Sequence, residues 1–362
     1  MTNLKKMSMF FFTMVLALIM LAACSQEPPS SGGNKDTDEA KGTEKPEEKD
    51  NGEKDKYAFI FKNTGNPYGE KMMDGFKDAI EELGGEVILR SPDQPTAEGQ
   101  IQIIEQLIQQ KVTAIAIAGN DNDALEPVLK KAMNQGIKVL SVDSAVNADS
   151  RILHVNQANP ERIGRIQIEA VAEMIGGAGE IAVLSATSQA TNQNLWIEWM
   201  QKELEEPAYK DITLVKVAYG DDLRDKSVSE TEALLKSYPD LKAIIAPTTV
   251  GIAAAGKVLT DKNLQDKVKL TGLGLPSEMA TYLENGVSPW MYLWNPIDVG
   301  SAAGYIAHAL VTGDITGALG ESVETGVFGE LDIVEDGDGT QVMLGDPYKF
   351  DADNIGEWKD VY

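Results

Sequence analysis

From residue 57 onward the apolar positions follow two alternating patterns. Short unbroken runs, "YAFIF" at 57–61, "EVILR" at 86–90, "AIAIA" at 114–118 and "KVLSV" at 138–142, are separated by longer stretches with apolar residues every three or four positions. In 97–110, "AEGQIQIIEQLIQQ", Ile101, Ile104, Leu107 and Ile108 share one face of a helix. Similar patterns predict helices over about 68–83 and 123–136. Strands that are apolar throughout are buried on both faces, and strand–helix alternation of this kind builds a parallel sheet covered by helices.

After "RILHVN" at 151–156 the alternation restarts. A helix is predicted over about 160–174, followed by "EIAVL", a helix over 195–205, "TLVKVAY", a helix over 227–238, and "AIIA". Then come a small-residue helix at 250–259, "VKLTGLG", a short helix at 277–285 and "WMYLW". The expected fold class is therefore α/β, with two doubly wound parallel-sheet lobes. A helix over 297–310 and the late strands "VFGELDIV" and "TQVML" would each cross back, giving a three-crossing hinge. The expected boundaries are 57–157 plus 296–324 for the N-terminal lobe and 158–295 plus 325–362 for the C-terminal lobe.

The first 56 residues read differently. Lys5 and Lys6 precede an apolar run, Phe10 to Ala23, that is too short to span a bilayer comfortably. "LAAC" follows and ends at Cys24, the single cysteine of the chain. Residues 1–23 resemble a lipoprotein signal peptide, with Cys24 as the lipidated residue and no intrachain disulfide possible. Residues 24–56 hold almost no apolar side chain beyond that cysteine, so they are expected to form a disordered acidic tether. Of the formal charge of −25, residues 1–24 carry +2 and residues 25–56 carry −4, which leaves −23 on the rest. So acidic a body is a poor surface for nucleic acid or anionic lipid.

In open α/β sheets ligands bind at the carboxyl ends of strands. Those ends carry Lys62, Asn66, Pro67 and Tyr68, then Gly119 and Asn120, then Asp143 and Ser144. In the second series they carry residues 185–193, 219–222, Pro247 to Thr249, 274–276, and Trp294 and Asn295. Amides and a carboxylate suit hydroxyl groups, and the aromatics suit C–H surfaces, so a neutral polyhydroxyl ligand fits this set. Singly, each has a plainer role: Asp143 in a turn, Asn192 and Gln193 as helix caps, Trp294 as core. Their placement at one sheet edge favours a binding site.

The segments "GNPYGEKMMDGFKDAIEELG", "VLSVDS", "LSATSQATNQNLWIEWM", "YGDDLRDKS", "IIAPTTVGIAAAGKV", "TGLGLPSEM" and "LWNPIDVG" resemble the type I sugar-binding periplasmic proteins. They are most similar to the branch that holds the rhamnose-binding and autoinducer-2-binding components of ABC transporters. The resemblance spans 57–362 and implies two lobes that close on a ligand like a hinge. It also implies a small-molecule sugar, L-rhamnose by motif, with autoinducer-2 as the alternative. The partners implied are ABC permease subunits and the membrane through the lipid anchor, with a monomeric body, no nucleic acid and no cofactor.

The autoinducer-2 branch contacts its ligand through six positions, which align with Lys62, Asp143, Asn192, Gln193, Pro247 and Thr249. Asn192 stands where that branch has Asp, and Thr249 where it has Ala. In sugar binders of the wider family the positions of Asn66, Tyr68, Asp143 and Asn295 also line the cleft. Tyr68 and Trp294 are expected to pack on the sugar ring. Ribose-type proteins carry an Asp after the strand "LTGLG", where this chain has glycine.

An enzyme is the competing class. A glycosidase needs paired carboxylates, and Asp143 has only Asp221 and Asp222 as candidates opposite it. His154 and His308 lack metal-ligand spacing. "DGDG" at 336–339 lacks the glycine and terminal glutamate of a calcium loop, and "GGAG" at 176–179 precedes a strand instead of following one. No catalytic or metal residue is expected. Repressors of similar fold need a DNA-binding helix pair where this chain has a signal and tether.

Overall fold

The computed structural model describes residues 54–362. The expected signal segment, Cys24 and the tether as far as residue 53 lie outside the described residues. The first series comprises β1 (Lys56–Ile60), α1 (Pro67–Glu82), β2 (Glu86–Arg90), α2 (Ala97–Gln109), β3 (Ala114–Ile117), α3 (Asn122–Asn134), β4 (Lys138–Val142) and β5 (His154–Asn156). The second comprises α4 (Pro160–Ile175), β6 (Gly179–Ser185), α5 (Thr191–Leu204), β7 (Ile212–Tyr219), α6 (Arg224–Ser237), β8 (Leu241–Ala246), α7 (Thr249–Asp261), β9 (Lys269–Gly272), α8 (Pro276–Glu284) and β10 (Trp290–Leu293). The chain ends with α9 (Pro296–Thr312), β11 (Ser322–Glu324), β12 (Glu330–Asp336), β13 (Gly339–Met343), β14 (Tyr348–Asp351) and α10 (Ile355–Trp358).

One sheet runs β11–β12–β13–β5–β4–β3–β1–β2, and another runs β7–β6–β8–β9. Strands β2, β1, β3, β4, β5 and β13 are parallel, as are β7, β6, β8 and β9. A parallel bridge from Leu273 to Tyr292 carries the second sheet on to β10, which pairs antiparallel with β14. Two α/β lobes of mostly parallel strands result, as the periodicity predicts.

The expectation that 325–362 belongs wholly to the second lobe is corrected by strand pairing. β13 pairs with β5 (Gln341 beside His154, Val342 beside Val155), and β12 pairs with β13. Only β14 onward joins the second sheet. β5 would otherwise expose an unpaired edge of backbone groups, and β13 covers it. The buried Arg151 guanidinium fastens this hairpin, donating to Thr340 O at 3.0 Å and to Asp336 Oδ2 at 2.6 Å. That pairing also accounts for the "DGDG" turn. The chain thus passes between sheets three times, after β5, β10 and β13.

Alternate residues of each strand feed different layers. In the first sheet Ala58, Ile60, Ile115 and Ile117 pack under α2 and α3, while Tyr57, Phe59, Ala114 and Ala116 face α1 and α9. In the second, Ile181, Val183, Ala243 and Ile245 pack under α4 and α5. Each fully buried aliphatic side chain contributes about 1.5–3 kcal/mol. β2 and β7 are edge strands and are only partly buried. Helices α1 and α9 meet backbone to backbone: a Cβ on Gly300 would lie 1.9 Å from Met72 O, and one on Gly75 would lie 2.0 Å from Ile297 O.

Candidate functional site

The carboxyl ends of the two sheets face each other across a cavity with an empty volume of about 360 Å³. Its first-lobe wall starts at β1. Asn66 has extended backbone, and its Oδ1 accepts from Tyr68 N at 3.1 Å and Gly69 N at 3.3 Å, capping α1. This cap sets Tyr68 in the first turn, where its hydroxyl donates to Asp143 Oδ1 at 3.0 Å. Asp143 Oδ2 receives Asn192 Nδ2 at 3.0 Å and lies 3.3 Å from Lys62 Nζ. Asp143 is 4% exposed and has φ +62, a left-handed backbone that costs a non-glycine residue about 1–3 kcal/mol. Burial, followed by the Asp143 charge, holds the Tyr68 hydroxyl well above its ordinary pKa, so it remains a donor.

The second-lobe wall is the polar stretch after β6. α5 begins at Thr191, four residues earlier than the apolar pattern implies, so Asn192 and Gln193 occupy its first turn. Gln193 Oε1 accepts from Ser185 Oγ and Ala186 N, both at 2.8 Å, which leaves Nε2 without a protein partner among the described residues. Asn192 Oδ1 accepts from Lys62 Nζ at 3.3 Å. The Asn192 amide therefore meets the cation and the carboxylate of the opposite lobe at once. An aspartate here would set a second carboxylate against Asp143. Thr191 and Ser144 hydroxyls lie 3.0 Å apart, and Thr191 donates to Ala145 O at 3.1 Å, so the lobes are also joined at the rim.

Pro247 and Thr249 line the cavity at the start of α7. Between them Thr248 donates its hydroxyl to Asp222 Oδ1. Trp294 Nε1 donates to the Tyr68 hydroxyl at 2.6 Å, with the two rings edge-on at 82°. Trp196 stacks edge-on against Trp294 at 6.0 Å between centroids. The three rings form an apolar corner beside the polar wall.

Nine of the ten residues singled out from the sequence line this cavity: Lys62, Asn66, Tyr68, Asp143, Asn192, Gln193, Pro247, Thr249 and Trp294. Asn295 does not. Its Oδ1 accepts from Ile297 N at 3.0 Å as the N-cap of α9, and its side chain also bonds Asp298. Pro296 at the first helical position makes the preceding residue the cap. The lining also includes Asp222 and Trp196, with Phe61, Thr248, Leu273 and Leu293 completing it. In the sequence Asp222 stands out only as one of the strand-end residues 219–222 and as a carboxylate opposite Asp143. Burial raises the Asp222 carboxyl pKa, and Thr248 and Lys62 pull it partly back.

The histidines have structural partners. His308 Nδ1 lies 3.0 Å from the Tyr57 hydroxyl, and His154 Nδ1 lies 2.9 Å from Ser141 Oγ. Burial, then the Arg151 charge, depresses the His154 pKa to about 3. Among the described residues no helix is long and apolar enough to cross a membrane.

Two doubly wound lobes with three crossings and a cleft at their strand ends define the type I periplasmic binding protein fold. Residues 57–315 match the periplasmic binding protein domain, and the chain belongs to that family. An ABC transporter solute-binding protein from Clostridium phytofermentans, solved with bound L-rhamnose, is 48% identical. It superposes with a TM-score of 0.84 over 86% of this chain and 99% of that one. LsrB from Clostridium saccharobutylicum in complex with AI-2 shares the fold at 22% identity and a TM-score of 0.79, covering 84% of this chain and 99% of that chain. A D-ribose/D-allose-binding protein from Pseudomonas aeruginosa is 26% identical over 244 residues, 65% of this chain and 75% of that protein.

Proposed function

We propose that this protein is the solute-binding component of an ABC sugar importer, and that it holds one monosaccharide, L-rhamnose, between its lobes and hands it to the permease. One observation carries the reading. The cavity keeps polar atoms that no protein group of the described residues bonds: Asn66 Nδ2 and Gln193 Nε2 as donors, Asp222 Oδ2 as acceptor, and the Thr249 hydroxyl as either. Beside them lies the apolar corner of Tyr68, Trp196 and Trp294. A deoxy sugar offers hydroxyls to the first set and a methyl to the second. The rhamnose-bound relative at 48% identity supports the choice of sugar.

Ribose fits less well. A Cβ on Gly274 would lie 2.5 Å from Met291 Sδ and 2.6 Å from Met279 Cγ, so the aspartate of ribose-type proteins would fit there only if both methionines shifted. Autoinducer-2 is the second reading. Lys62, Asp143, Gln193 and Pro247 keep its residue types, whereas Asn192 and Thr249 do not. Binding without turnover is proposed, since the relatives are sugar-binding transport proteins. Cys24 would anchor the protein to the outer face of the cell membrane through its lipid, and the folded body would act as a monomer.

Isothermal calorimetry with L-rhamnose and with autoinducer-2 tests the ligand. Rhamnose is expected to bind at micromolar affinity or better, about −8 kcal/mol or more favourable. Heat from autoinducer-2 alone would replace rhamnose as the ligand and leave the transport role standing.

A further inference from the structure

Resting on the reading of the cleft as a sugar site, we propose that Asp222, more than Asp143, takes the hydrogen bond from a ligand hydroxyl and so sets which sugar is held. The two carboxylates face the cavity from opposite lobes in different states. Both oxygens of Asp143 are engaged by protein groups: Oδ1 by Tyr68, Oδ2 by Asn192 and Lys62. Asp143 therefore organises the closed wall and has little accepting capacity left. Asp222 accepts only from Thr248, through Oδ1, and that bond fixes the plane of the carboxylate. Oδ2 has no protein donor among the described residues.

The backbone is built to aim this side chain. Asp221 and Asp222 stand in succession at φ +53 and +52, a conformation that persists only where the surroundings hold it. Gly220 N donates to Ser185 O at 2.8 Å, Asp221 N to Ala186 O at 3.0 Å, and Leu223 N to Gly220 O at 2.9 Å. A Cβ on Gly220 would lie 2.2 Å from Ser227 Oγ, so the turn sits hard against α6. Asp221 turns outward to pair with Lys226, and Asp222 turns inward with 9% exposure. A plain surface turn would need neither the strain nor the burial.

The groups that face Asp222 give it a second signature. Burial and the charges of Asp143 and Asp221 raise its pKa, against Thr248 and Lys62, which lower it. The accepting, ionised form is lost as pH falls through that raised value. Sugar affinity should therefore weaken as pH falls, beginning at a higher pH than for an ordinary aspartate.

The test is calorimetry of the full-length protein, Asp222→Asn and Asp221→Asn against L-rhamnose, its singly deoxygenated analogues, D-ribose, D-allose, D-xylose and L-arabinose. With the sugar that binds the wild type, Asp222→Asn is expected to weaken binding about 10- to 100-fold. It should also flatten the pH profile, while Asp221→Asn keeps the affinity above the transition and keeps a pH dependence, moved to lower pH because one of the charges that raise the Asp222 pKa is gone. One deoxy analogue should lose affinity for the wild type and lose nothing further on Asp222→Asn. Equal binding of that sugar by wild type and Asp222→Asn would overturn the proposal. So would a pH profile that Asp222→Asn leaves unaltered. Binding of another sugar of the panel in place of L-rhamnose would overturn the rhamnose reading alone, and the same comparison would then decide on Asp222.

Discussion

At the scale of single residues, the cleft turns on how few of its charges are free. Lys62 is 6% exposed and has Asp143 as its counter-charge. Removing one partner of a buried pair strands the other, at a cost of about 3–5 kcal/mol. Asp143→Ala is therefore expected to lower the unfolding midpoint in urea and to weaken sugar binding at least tenfold, whereas Asp143→Asn, which can keep the hydrogen bond from Tyr68 but not the charge opposite Lys62, should recover only part of the stability. Equal stability of wild type and Asp143→Ala would show that the pair does not hold the closed wall. His154 sets a pH dependence. Its folded pKa, about 3, lies below the ordinary 6.5, so the unfolded chain takes up the proton first as pH falls. Stability is complete above pH 6.5 and is lost at about 1.4 kcal/mol per pH unit once well below it. Urea unfolding at about pH 5.5 and about pH 4.5 should show that slope in the wild type beyond the slope of His154→Asn. Parallel slopes would contradict it.

At the scale of elements, glycine lets two helices touch. α1 carries Asn66 as its cap and Tyr68 in its first turn, and α9 locks it in place through Gly75 and Gly300. Gly300→Ala is expected to cost about 3 kcal/mol or more, because a backbone carbonyl cannot yield as a side chain can. Sugar affinity should fall with it, since α1 positions the first-lobe wall. An unchanged denaturant midpoint would show that the helices can slide apart freely. Much of this architecture was legible from periodicity: the βα alternation, both lobes and most helices. The sheet to which a late strand belongs was not, because β12 and β13 look alike in pattern whichever edge they cover. The start of α5 was hidden for a related reason, as its first turn faces a polar cavity and carries no apolar stripe. β11 and β14 are short and half-exposed and give no unbroken run. In the site, nine residues were legible because strand ends are where α/β ligands bind. Asp222 was less so, since two aspartates in a turn are ordinary sequence and their left-handed backbone is visible only in three dimensions. Asn295 was placed by its strand end as well as by resemblance, and the cap it forms beside Pro296 was there to be read.

At the scale of the molecule, two lobes joined by three crossings meet through a few polar bonds and an aromatic corner. The hydrogen bonds of Asn192 to Lys62 and Asp143, and of Thr191 to Ser144 and Ala145, tie the two lobes across the cleft. A ligand that touches both walls adds to them and shifts the population toward closure by as much as it prefers the closed form. The proposed lipid anchor acts at this scale too. Acyl chains contribute about 0.8 kcal/mol per buried CH₂, enough for two or three to hold an acidic body at a membrane. Cys24→Ser is expected to move the protein from the membrane fraction to the soluble one, and a variant that stays with the membrane would remove the anchor from the reading. The cleft is proposed to bind a sugar by closing on it without altering it. Small-angle scattering in the presence and absence of saturating L-rhamnose, with the sugar recovered afterwards, tests that most directly. The expected result is a smaller radius of gyration with bound rhamnose and its return unchanged. The same radius in both states, or conversion of the sugar, would contradict it.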